Sequence, residues 1–151
     1  MSKRLNGLMA AALAAFISTP ALAILPDSGM WSIGAELNGK PGRGIQIDRQ
    51  GGSTLILTYF GYRANGSSLF LQAAGTLKDG KQFDGVLTEY RNGRALGGQA
   101  RDGELAQEAG PVRIVFDSST TATITLPGEA PQRLQRCLLY TSDAADDSLR
   151  V

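Results

Sequence analysis

The sequence predicts an all-β fold, an antiparallel meander of about eight strands, closed as a barrel or rolled into a tight sandwich. Short runs alternate apolar and polar residues, as in residues 45–49, where Ile45 and Ile47 bracket Gln46. Turn pairs punctuate these runs at Gly51-Gly52, Asn65-Gly66, Asp79-Gly80, Asn92-Gly93 and Pro127-Gly128. Strands recurring every ~8–12 residues between such turns mark β-meanders. Only residues 101–110, RDGELAQEAG, have helical composition, and they suffice for no more than one turn.

The first strand is expected over residues 30–37, with Trp31, Ile33 and Ala35 on one face. Residues 38–44 hold three glycines and a proline and read as a loop. Residues 45–49 form the second strand. Residues 54–77 then form a long hairpin turning at Asn65-Gly66, where a type I′ turn would place both central residues at positive φ. Its first strand has two apolar faces, with Leu55, Leu57 and Tyr59 on one side and Ile56, Phe60 and Tyr62 on the other. Its second strand sets Leu69, Leu71 and Ala73 against a face shared by Ser68, Phe70, Gln72 and Thr76. This hairpin is expected at the centre of a sheet. Further strands follow over 83–90, 112–116, 121–126 and 132–136.

Two terminal segments read as separate from the domain. Residues 1–23 have the form of a signal peptide, with Lys3 and Arg4 before an apolar stretch and Ala21-Leu22-Ala23 as the cleavage site. The apolar stretch is short for a membrane span, which needs about 20 residues. Residues 137–151 resemble a translated transposon-end sequencing adapter. One reading frame of that adapter spells Cys-Leu-Leu-Tyr-Thr-Ser-Asp-Ala-Ala-Asp, which is Cys137 to Asp146. The natural chain is therefore expected to break off near Arg136, leaving 24–136 as one β domain exported to the periplasm or beyond.

The chain of 151 residues has 15 Lys and Arg against 14 Asp and Glu, a net charge of +1. That balance gives no argument for nucleic acid as a partner. With no histidine, and its single cysteine in the adapter-like tail, the sequence offers no Ser-His-Asp or Cys-His nucleophile. For the same reason it supplies no His- or Cys-ligated metal site and calls for no cofactor. Carboxylate chemistry remains: Asp48, Asp84 and Glu89 sit on strands, though no spacing joins two of them at one glycosidic bond. No catalytic residue is assigned.

The binding candidates are Arg43, presented on the Gly42–Gly44 glycine frame, Phe60 and Tyr62 on the second face of the hairpin, and Tyr90, Arg91 and Arg94 around Asn92-Gly93. Residues 39–44 have a superficial phosphate-loop look, but a strand follows the glycines where such loops require a helix.

The segments SGMW, GRGIQID, LTYFGYRANGSSLF, LTEYRNGRALGG and LPGE together resemble a family of small exported proteobacterial proteins of unknown function. That resemblance implies a small β domain and export. The Gly29-Met30-Trp31 start also resembles the opening of lipocalin- and avidin-like ligand barrels. There it implies that Trp31 closes one end as a core anchor, beneath an arginine of the last strand, here Arg133 or Arg136. The expected function is a non-enzymatic exported module that binds a small apolar or glycan ligand, or an envelope partner, through an aromatic surface or cavity. The alternatives are a self-associating structural protein of the envelope and a carboxylate-dependent glycan hydrolase.

Overall fold

The computed structural model describes residues 25–137. Both the signal-peptide reading and most of the adapter-like tail lie outside that range. Eight antiparallel strands follow one another around a closed barrel: β1 Gly29–Ile33, β2 Gly44–Gln50, β3 Thr54–Tyr62, β4 Ser68–Thr76, β5 Gln82–Arg91, β6 Glu104–Phe116, β7 Thr121–Thr125 and β8 Gln132–Arg136. Closure comes from β1 pairing with β8, Trp31 opposite Arg136 and Ile33 opposite Leu134. The hairpin β3–β4 is thus one segment of a continuous wall, and the fold has no central strand.

Period-two alternation builds the core. Trp31, Ile33, Ile45, Ile47, Leu55 and Leu57 point inward, and Phe83, Leu87, Ile114, Phe116, Ile124 and Leu134 meet them from the other side. Small barrels of eight strands are just wide enough to be filled by their own side chains. Phe83, Phe116 and Trp31 fill this one, and the Trp31 and Phe116 rings meet edge to face at 5.7 Å. Charged residues such as Arg113, Asp117 and Arg133 stand outside. A membrane-spanning barrel reverses this arrangement.

Three local expectations are corrected. The first strand stops at Ile33, and residues 34–36 form a 3-10 turn, so Ala35 is exposed rather than inward. The turn brings Glu36 back over Arg43. At Asn65-Gly66 only Gly66 has positive φ, at 82°, and its N–H donates to the Arg63 carbonyl. The connection is therefore a type I turn followed by a glycine bulge, one residue longer than a type I′ loop. Type I′ geometry appears instead at Asp79-Gly80, where both residues have positive φ and Lys81 bonds back to Lys78.

The third correction concerns residues 92–110. Asn92-Gly93 opens a long loop, and the helical-looking segment belongs to β6, whose thirteen residues make it the longest strand. Its first half is exposed on both faces, so its polar composition is that of a two-sided solvated ribbon. Two extra residues in β6, Ala109 and Ala106, shift the register against β5. Such bulges bend and twist a strand pair, and here they lie where the β5–β6 hairpin leaves the barrel.

Candidate functional site

The two ends of the barrel differ. At the end where β1 begins, the lead segment 26–28 closes the floor. Trp31 Nε1 donates to the Asp27 carbonyl at 3.2 Å, Arg49 Nε donates to the Pro26 carbonyl, and Asp27 N–H donates to the Ser119 carbonyl. Arg136, opposite Trp31 on β8, donates from Nε and Nη2 to the Ser28 carbonyl at 3.2 and 3.1 Å. The Gly-x-Trp resemblance implied a tryptophan sealing one end under a last-strand arginine. Here Trp31 is fully buried against Phe116, and the Arg136 guanidinium is spent on the Ser28 carbonyl. The β8–β1 ladder extends one step further, since Cys137 N–H donates to the Met30 carbonyl at 2.7 Å.

The opposite, upper end carries the sequence-derived candidates. Arg43 makes a bidentate pair with Glu36, donating from Nη2 to Oε1 at 2.5 Å and from Nε to Oε2 at 3.2 Å, and reaches Glu129 at 2.5 Å. The Glu36 and Glu129 carboxylates, with a contribution from the Tyr59 hydroxyl, push its already high pKa higher. The glycine frame thus presents Arg43 to two acids of its own chain, tying the β1–β2 connection to the β7–β8 turn. Arg63 pairs with Glu89, which also accepts from Gln107 Nε2 at 3.0 Å. Arg91 pairs with Glu104 at 3.1 Å, and Arg94 Nε donates to the Gly98 carbonyl at 2.7 Å.

The carboxylates considered for hydrolysis are similarly engaged. Asp84 accepts from Lys78 (2.9 Å), Gln82 (2.7 Å) and Arg113 (2.7 Å), which hold its carboxyl well below the usual range. Arg63 lowers the Glu89 carboxyl, and Arg43 lowers that of Glu36. Depressed, ion-paired carboxyls suit anchors; a general acid needs its pKa raised. Asp48 accepts only from Gln50 among the described residues. No cluster of metal-ligating side chains occurs among the described residues.

What the structure does assemble is a row of apolar side chains on the outer wall near the upper rim. Phe60 on β3 stands directly opposite Phe70 on β4, with ring centroids 5.7 Å apart. Gln72 pairs with Thr88 between β4 and β5, so Phe70 and Tyr90, each two residues further toward the rim, share the outer face of these neighbouring strands. Tyr90 in turn pairs with Leu105 on β6. Phe60, Phe70, Tyr90 and Leu105 therefore share the outer face of four adjacent strands near the rim, each 42–57 % exposed, with Tyr62 one step above. Beneath them runs a polar row, Thr58, Gln72, Thr88 and Glu108.

Of the expected binding residues, Phe60 and Tyr62 lie together beside Phe70, and Tyr90 is on the same outer wall over Gln72 and Thr88. Arg91 and Arg94 lie at the base of the hairpin loop above it, and Arg43 sits apart in its ion pairs. Sequence reasoning had placed Phe70 on the correct face without assigning it to the site, and it missed Leu105, Leu96 and Arg101. The comparisons add no relative: no family model, curated protein or solved structure matches this chain.

Proposed function

We propose that this protein is an exported, non-enzymatic binding module that engages a component of the cell envelope through the outer row of Phe60, Phe70, Tyr90 and Leu105. The observation that carries the reading is the exposed cross-strand Phe60–Phe70 pair. Contiguous exposed apolar patches are uncommon on soluble monomers and mark interaction sites. Tyrosine at the edge of such a patch suits a boundary between apolar and wet surroundings. The interior favours a surface over a cavity, because Trp31, Phe83 and Phe116 already fill it. The export part rests on the form of residues 1–23 and on the resemblance to small exported proteins.

A pair of double substitutions tests the reading. Phe60→Ser with Tyr62→Ser should leave a folded protein and abolish its retention on isolated envelope fragments. Leu57→Ser with Tyr59→Ser, on the inner face, should unfold it. Full retention by the outer-face variant, or equal unfolding of both, would refute the proposal.

A further inference from the structure

The β5–β6 hairpin rises past the aromatic row and ends in a loop of distinct chemistry. Residues 92–101 contain two arginines, Arg94 and Arg101, and no acid. At the loop's tip Leu96 is fully exposed, touching nothing that would shelter a side chain of its size. Arg94 spends only its Nε on the Gly98 carbonyl, and among the described residues neither arginine has a carboxylate partner. One acid, Asp102, follows Arg101 within the loop, and the acids of the ribbon begin at Glu104, already held by Arg91 and Asn92, and Glu108. Seen from the upper end, the order is an apolar tip flanked by cations, then aromatics with two tyrosines, then a polar row.

That order matches the depth profile of a membrane surface. An apolar side chain enters the acyl boundary, arginines meet anionic headgroups, and tyrosines sit at the interface. We infer that the upper rim docks on an anionic lipid surface, led by Leu96, Arg94 and Arg101 and backed by the Phe60–Leu105 row. The inference rests on the proposed use of that row and adds the class of partner. A glycan would use the aromatic rings but would leave the exposed Leu96 and the two arginines flanking it without a role. A second copy of the chain would bring two positive loops together.

The test uses the chain from Ile24 onward, which carries the whole closed barrel, in co-sedimentation with phosphatidylglycerol or phosphatidylcholine vesicles. Binding to phosphatidylglycerol is expected, with little to phosphatidylcholine, and release at ~1 M salt, where screening shortens to about 3 Å. Arg94→Gln with Arg101→Gln should weaken it about thirtyfold, and Leu96→Ser about tenfold. Both variants should keep the wild-type melting temperature, since these side chains lie outside the core. Equal binding to the two lipids, or binding indifferent to both variants, overturns the inference. So does a dimer disrupted by Phe60→Ser with no vesicle binding. Retention on envelope fragments or peptidoglycan without vesicle binding would overturn the lipid inference alone and leave the aromatic surface standing. Vesicle binding that the tip variants lose but Phe60→Ser with Phe70→Ser keeps would support the lipid contact and remove the aromatic row from it.

Discussion

Trp31 stands opposite Arg136 in the one ladder that turns the meander into a barrel. The indole fills the floor against Phe116 and donates to Asp27, while the guanidinium clamps Ser28 from the other strand. The lead segment, the first strand and the last strand therefore share one anchor. Trp31→Ala should cost about 3–5 kcal/mol through the cavity it leaves, a large part of the ~5–15 kcal/mol typical of a domain. Thermal melting should fall by about 15 °C or more. An unchanged midpoint would show that the floor does not depend on the indole.

The face assignment was partly legible in the sequence and the turn geometry was not, although the two are linked. Inward Leu71 follows from the one apolar face of β4, whereas β3 is apolar on both faces and Phe60 turns outward only through its pairing with Phe70. A two-residue type I′ loop at Asn65-Gly66 would have set Phe60 against Leu71, joining an outer residue to an inner one. A one-residue slip moves every side chain to the other face. The bulge at Gly66 restores the parity and puts Phe60 against Phe70. Arg43, by contrast, could not be placed from sequence, because Glu129 lies far along the chain and meets it only once the barrel closes. The β6 extension was hidden for another reason: a ribbon solvated on both faces shows no alternation, and its Glu, Gln and Ala content favours helix until pairing with β5 decides.

Gly85 is a second point where packing dictates the residue. A methyl group there would lie 2.9 Å from the Phe83 ring and 3.2 Å from Ala73 Cβ. The ring folds over its own strand to cover the glycine and is fully buried, so it has nowhere to retreat. Gly85→Ala is expected to destabilise by about 1–3 kcal/mol, the usual penalty for overpacking. Gly51→Ala would act differently, through its φ of 56° with nothing nearby, and provides the contrast. Combining Gly85→Ala with Phe83→Leu should recover part of the loss. Denaturant midpoints measure each step, and the absence of any recovery would argue against a clash with the ring.

The Arg43 network should behave as one unit. A half-buried guanidinium with two carboxylate partners is worth more than an exposed pair, about 1.5–3 kcal/mol, against ~0–1 for surface bridges. Arg43→Gln should therefore lower stability by roughly that amount. Glu36→Gln added to it should cost little more, because the pair has already been broken. A double-mutant cycle reads the coupling, and strictly additive losses would show that Arg43 and Glu36 act independently. Hydrogen exchange should rise in residues 34–43 in the Arg43 variant, since that connection loses its tie to the β7–β8 turn.

Acid unfolding follows from three depressed carboxyls. Glu36, Asp84 and Glu89 all titrate below their ordinary values of 4.5, 3.8 and 4.5, chiefly because of Arg43, Lys78 and Arg63 respectively. On lowering the pH the unfolded chain takes up these protons first, so their contribution is complete above the ordinary values. It is lost as the pH falls through the folded values. Stability should be flat from neutrality down to about pH 5 and then decline steeply below about pH 4. Asp84 lies furthest down and should dominate the steepest, most acidic part of the limb. Asp84→Asn should flatten that part and leave the shoulder near pH 4.5, which belongs to the two glutamates. Urea midpoints at a series of pH values give the profile. An Asp84→Asn profile parallel to wild type at every pH would show that Asp84 is not held ionised by Lys78, Gln82 and Arg113.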